Sequence, residues 1–179
     1  SRAVAATLAS RQQWGMQDAP TGPLTGTTIV EFAGLGPCPM AGMLLADMGA
    51  NVIVIDRAVS AGPAPDGRGN QTRTATHRHK RSITLNLKHP ADVAIAWQLL
   101  EQADALIEGF RPGVMERLGF SPEAVAARCP ALVFGRVTGW GQEGPLSQAA
   151  GHDINYVALT GVMATSARDG EVPMLPATI

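Results

Sequence analysis

Thr28-Ile29-Val30-Glu31-Phe32, Gly34-Leu35-Gly36-Pro37-Cys38-Pro39 and Asn51-Val52-Ile53-Val54-Ile55 succeed one another between Thr27 and Arg57, and this succession decides the fold. The first segment has β-branched and aromatic content and reads as a strand. Gly34 to Pro39 reads as a turn. Met40 to Met48 is apolar on most sides, which predicts a buried helix stopping at Gly49. Asn51 to Ile55 is an unbroken apolar run, as in a parallel strand covered on both faces. The sum is a βαβ unit. It imitates a dinucleotide-binding unit, because Gly34 and Gly36 are correctly spaced and Asp56 stands about 20 residues further on, where a ribose-binding acid belongs. Pro39 replaces the third small residue of that fingerprint, and Pro37 removes an N–H from the turn that would cradle a pyrophosphate. Both changes weigh against NAD. Cys38 has no neighbour in sequence that would activate it as a nucleophile.

Downstream the alternation continues. Ala58 to Thr76 is rich in Gly, Pro and polar residues and reads as a surface loop. It leads to Arg73 and then His77-Arg78-His79-Lys80-Arg81, the densest positive cluster of the chain. That cluster is either a solvated face or a phosphate-recognition element. Ser82 to Leu87 alternates polar and apolar residues, which predicts a half-exposed strand. Pro90 opens a helix, and Val93, Ala96, Trp97 and Leu100 line one of its faces, with Trp97 read as core. Ala103 to Glu108 is the next strand. Gly109-Phe110-Arg111-Pro112-Gly113 breaks the chain at its carboxyl end, where open α/β sheets bind ligands, so Arg111 is a candidate anion contact on position alone. Val114 to Leu118 and a helix capped by Ser121 lead to a strand over Ala131 to Val137. The fold class expected is α/β, Rossmann-like, with a mainly parallel sheet.

Composition narrows the partners. The 179 residues are 45% hydrophobic and 16% charged, with a net charge of −1. That balance suits a soluble chain with one core and argues against nucleic acid as a partner. No apolar run approaches the roughly 20 residues of a membrane span, so no membrane partner is expected. Cys38 and Cys129 are too few for a disulfide framework and fit a reducing, cytoplasmic setting. No His or Cys spacing suggests a metal site. Ser1 to Thr21 lacks the periodicity of the rest; it reads as a disordered extension or upstream sequence, with a transit peptide as the alternative. In a eukaryotic source, a mitochondrial or peroxisomal compartment is the alternative to the cytoplasm.

The strand ending at Val137 delivers the chain to Gly139-Trp140-Gly141-Gln142-Glu143-Gly144-Pro145, then to Gly151-His152-Asp153-Ile154-Asn155-Tyr156. The first group is a shaped loop. The second runs into Tyr156 to Met163, an apolar run of helical length. A His–Asp pair thus stands where a loop becomes a helix and backbone N–H groups are free. His moves protons well near neutral pH. A plain Asp cap with an incidental His fits the spacing equally well. The wording of the loop decides between them, because it resembles the alpha-methylacyl-CoA racemases, a branch of the family III CoA-transferases, from Gly22 onward.

That resemblance implies a site and a chemistry. Residues 22–179 correspond to the N-terminal part of a CoA-binding large domain, incomplete at its C-terminus. By the same resemblance His152 is the base that removes the α-proton of an acyl-CoA thioester; the N–H of Asp153, near the start of the predicted helix, is the candidate donor to the enolate oxygen. The CoA contacts it implies fall on Arg57, Leu85-Asn86-Leu87-Lys88, Ala103-Asp104-Ala105, Arg111, Gly151, Ile154, Asn155 and Tyr156. CoA belongs to the substrate, so no further cofactor is expected, and the complete protein is expected to be an interlocked homodimer. The second proton-transfer group is an Asp in a Gly-rich motif that would lie beyond Ile179; Asp153, Asp169 and Glu171 do not match it. Racemisation of 2-methyl-branched acyl-CoA is thus the first reading. A CoA-transferase of the same wider family and a non-catalytic nucleotide-binding module are the alternatives.

Overall fold

A computed structural model describes residues 21–57, 75–168 and 170–173. Residues 1–20, most of the loop from Ala58, Arg73 and Asp169 lie outside the described residues. Two compact units are formed, the first ending at Val137 and the second beginning at Thr138.

The first unit is built on five strands: β1 Thr28–Phe32, β2 Asn51–Arg57, β3 Arg81–Leu85, β4 Ala105–Glu108 and β5 Val133–Arg136. All their pairings are parallel, in the order β3-β2-β1-β4-β5. The chain therefore moves outward from β1 to β3, returns beside β1, and moves out the other way. That is the doubly wound order, whose switch point lies between β1 and β4.

Strand parity separates two cores. Val30, Phe32, Ile53, Ile55 and Leu106 face one side, where they meet α2 (Pro90–Leu100), α3 (Val114–Arg117) and α4 (Pro122–Arg128). Trp97 is buried there, 4.9 Å from the Phe120 ring and beneath the Arg128 guanidinium at 4.7 Å. Each fully buried Phe, Leu or Ile contributes about 1.5–3 kcal/mol. Ile29 and Val52 face the other side with Ala105 and Ile107, against α1 (Pro37–Asp47).

Helix α1 corrects one expectation. It begins at Pro37, earlier than the apolar run suggested, and it is not buried all round. Cys38, Gly42 and Ala46 recur every four residues on the face toward the sheet, and their small size lets the helix approach closely. Met40, Leu44 and Met48 are left 52%, 47% and 38% exposed. One helix can turn only one stripe to a sheet. Gly49, at φ 95°, ends the helix as expected.

The second unit carries α5, Asp153–Leu159, and then a 3-10 turn over Val162–Ser166. The apolar run to Met163 is therefore not one helix: Gly161, at φ 79°, interrupts it in the left-handed region. Among the described residues no helix is long and apolar enough to cross a membrane.

Candidate active site

The carboxyl edge of the sheet gathers the cations chosen from sequence. Arg57 ends β2 and is aligned with Leu85, the last residue of β3. The Asp56 carboxylate accepts from the Arg57 N–H at 2.7 Å, which shapes the strand end. Leu85 is buried, and Leu87 is partly buried against the same core. Asn86 forms the turn between them: its N–H donates to Asp92 at 2.7 Å, and its side-chain oxygen accepts from Lys88 N–H at 3.2 Å. Lys88 and Arg111 are exposed, as is Arg57. None of the three has a carboxylate partner among the described residues.

Ala103, Asp104 and Ala105 are not brought to that edge. Ala105 is aligned with Ile29, and Ile29 with Val52, at the amino end of the sheet. Arg57 lies five residues further along β2 than Val52, a separation of about 16 Å at roughly 3.3 Å per residue. Asp104 has a structural task there. Its carboxylate accepts from Thr28 N–H at 2.7 Å, and its own N–H donates to the Thr28 carbonyl at 2.8 Å.

The basic cluster turns out to be engaged within the protein. Arg78 Nε donates to Asp47 at 3.0 Å, and hydrogen bonding from Arg78 holds the Asp47 carboxyl below its usual range. Lys80 Nζ lies 2.6 Å from Glu31 and 2.8 Å from the Pro39 carbonyl, beneath α1. Arg81 donates to the Asn51 side chain. The phosphate-recognition reading of Arg78 and Lys80 is therefore replaced by a structural one.

Two buried acids escaped the sequence reading. Glu31 is 2% exposed and Glu108 fully buried. The signal was an acid inside an apolar strand, which requires a partner. Burial pushes the Glu31 carboxyl up, and the hydrogen bond and charge of Lys80 pull against it. Burial, then the charges of Glu31 and Glu108, pushes the Cys38 thiol up to about 12. That thiol is no nucleophile at neutral pH.

The second unit groups Gly151 to Tyr156 around a loop closure. The Tyr156 hydroxyl sits over two glycines: a Cβ on Gly139 would lie 2.4 Å from it and one on Gly151 2.0 Å. The Trp140 ring meets Tyr156 edge-on, with centroids 5.0 Å apart, and its Nε1 donates to the Ala150 carbonyl at 3.4 Å. Gly141 N–H donates to the Thr138 hydroxyl at 2.9 Å. The loop is thus bound across its two ends by one aromatic pair. Gln142 carries a buried side-chain nitrogen with no partner among the described residues.

His152 is the residue before α5, in extended conformation at φ −124° and ψ 158°. Asn155 accepts from its N–H at 3.0 Å, so the Asn155 oxygen works inside the protein rather than facing solvent unpaired. The His152 ring is exposed, Asp153 is half-buried, and Ile154 is 44% exposed. The Asp153 and Ile154 N–H groups precede the first internal bonds of the helix. The result is an exposed imidazole on a fixed backbone.

Comparisons with known proteins agree on one family. Residues 24–179 match the model of CoA-transferase family III. The chain is 42% identical over 153 residues to the alpha-methylacyl-CoA racemase of Homo sapiens, covering 86% of this chain and 38% of that protein. It is 36% identical over 165 residues to the acetyl-CoA:oxalate CoA-transferase of Acetobacter aceti, covering 84% and 40%. A crystal structure of a CAIB/BAIF family protein from Brucella suis matches with a TM-score of 0.72 at 28% identity, over 87% of this chain and 43% of that one. The chain thus spans well under half the length of these relatives.

Proposed function

The chain belongs to CoA-transferase family III, and from that premise we propose that it carries the base and part of the CoA site of a 2-methylacyl-CoA racemase. The observation that carries this reading is His152, an exposed imidazole at the head of α5 whose backbone is held by Asn155. A racemase must take the α-proton from one face and return a proton to the other. The electron pair left behind moves into the thioester carbonyl, giving an enolate. His152 serves one face, and a well-placed base of this kind is worth roughly 10²–10⁴-fold in rate. The N–H of Asp153 is assigned to the enolate oxygen, a contact worth about 10²–10³-fold. Inversion needs a second proton-transfer group on the opposite face of the enolate. Arg57, Lys88 and Arg111 supply positive charge for the phosphates of CoA, and no cofactor beyond the substrate is required.

The test uses the full-length protein in heavy water, with each enantiomer of a 2-methylacyl-CoA and no acyl acceptor. Deuterium should enter the α-carbon while optical purity falls, and His152→Ala should abolish most of both. If acyl transfer to an added carboxylate occurs without any α-exchange, the protein is a transferase. The similarity to the oxalate enzyme is the observation behind that second reading.

A further inference from the structure

Glu108 closes β4 with a side chain that is fully buried, yet both of its carboxylate oxygens are engaged. Oε2 accepts from the N–H of Phe110 at 2.6 Å. Oε1 accepts from Arg136 Nε at 2.8 Å, across the register that aligns the two residues on β4 and β5. Arg136 reaches on to Glu116, with Nη1 2.9 Å from Oε1. The Glu108 carbonyl also accepts from Val137 N–H at 2.8 Å. The residue immediately before Arg111 is therefore tied by its main chain to a buried, neutralised carboxylate.

The rest of the turn is fixed as well. A Cβ on Gly109 would come within 2.9 Å of the Cys38 Cβ, so the turn lies directly on the first turn of α1. The Phe110 ring packs edge-on against Phe32, with centroids 6.2 Å apart. Beyond Arg111, its carbonyl accepts from Val114 N–H at 3.1 Å, and Gly113 turns the chain at φ 83°. Arg111 itself is exposed and without a carboxylate partner among the described residues. Its backbone is held from both sides while its charge is left for a ligand.

We propose that Glu108 and Arg136 are positioning residues for Arg111, setting the turn from which Arg111 meets the phosphates of CoA. This rests on the reading that Arg111 contacts CoA. Converting two charges to a buried pair costs desolvation that hydrophobic residues of the same volume avoid. The network therefore does little for net stability, and its effect falls on where Phe110 and Arg111 stand. A carboxylate bonded to the Phe110 N–H fixes the turn in one conformation, and fixing a binding residue beforehand removes the ordering cost at the moment of binding.

The test is a double-mutant cycle on the full-length protein, with CoA as the titrant and calorimetry as the readout, at fixed salt. Arg111→Ala alone should weaken CoA binding. Glu108→Gln and Arg136→Ala should each weaken it about three- to tenfold, and raise KM for acyl-CoA more than they lower kcat. In the Arg111→Ala background both effects should shrink to within about twofold, because their route is gone. Arg136→Lys, which keeps a donor to Glu108, should restore part of the affinity. Effects that simply multiply in the double variants overturn the proposal, as does a Glu108→Gln protein that binds CoA normally. If Glu108→Gln does not fold, Arg136→Lys paired with Arg111→Ala reads the same coupling. An Arg111→Ala protein with wild-type CoA affinity would remove the reading beneath the proposal, and the proposal with it.

Discussion

Lys80 Nζ lies 2.6 Å from Glu31 Oε2, and both side chains are 2% exposed. The pair sits where α1 crosses the sheet, and a Cβ on Gly42 would lie 1.9 Å from Glu31 and 2.9 Å from Lys80. Removing one partner strands the other charge in the core. Lys80→Ala should therefore cost about 3–5 kcal/mol of stability, whereas Lys80→Met with Glu31→Leu should recover most of that loss. Urea unfolding of the two variants measures the difference. A Lys80→Ala protein as stable as the wild type would mean that the pair is not buried in solution.

The three cations with no carboxylate partner among the described residues give a contrasting forecast. Arg57→Ala, Lys88→Ala and Arg111→Ala should each weaken CoA binding by about 1.5–3 kcal/mol where the contact to phosphate is well made, and raised salt should weaken it further. Arg78→Ala should leave affinity within about twofold, because its guanidinium already bonds Asp47. Titrations of CoA at low and high salt compare the four. Loss of binding in Arg78→Ala with none in Arg111→Ala would reverse the assignment.

Gly151 has no room for a side chain. A methyl group there would stand 2.0 Å from the Tyr156 hydroxyl and 2.9 Å from its ring carbon. Gly151→Ala must push Tyr156 and the loop end next to His152 apart. Misplacing a catalytic group by about 1 Å can cost about 10²-fold in rate. The α-proton exchange rate should therefore drop by about that factor, with a smaller change in melting temperature. Unaltered exchange would show that the loop closure does not hold His152.

Cys38 carries a pH prediction. Its thiol is raised from 9.0 to about 12 by burial first and then by the charges of Glu31 and Glu108. A raised thiol contributes stability that is intact below pH 9.0 and is lost as the pH climbs toward about 12. At pH 8, iodoacetamide should label the folded protein at least about 100-fold more slowly than the urea-unfolded chain. Rapid labelling of Cys38 under native conditions would contradict its burial.

Strands and faces were legible because a parallel strand covered on both sides has to be an unbroken apolar run, as Asn51 to Ile55 is. Trp97 as core and Ser121 as cap came from spacing in the same way, and the Ser121 hydroxyl does accept from Ala124 N–H at 3.2 Å. What the residues hid were pairings over distance. Lys80 finds Glu31 across 49 residues and Arg78 finds Asp47 across 31, so a run of positive charge looked available when its partners lay elsewhere. Ala103 to Ala105 is a different case: strand content showed that the segment opens a strand, and its pairing with Ile29 puts that opening at the amino end of the sheet. Around His152 the motif announced the residue, whereas the contact of Tyr156 with two glycines needed coordinates.

The place of β1 at the switch point also has a kinetic consequence. Its first neighbour, β2, begins 23 residues after Thr28, but the partner on its other side is bonded through Asp104, 76 residues away. Closing the longer loop costs only about 1 kcal/mol more than the shorter by chain-length scaling. During synthesis, though, the second edge of β1 stays bare until the chain has grown past Ile107. Until then Val30 and Phe32 have only one flank covered, and a ribosome pausing within that interval would hold out an apolar strand with its hydrogen-bonding edge unpaired.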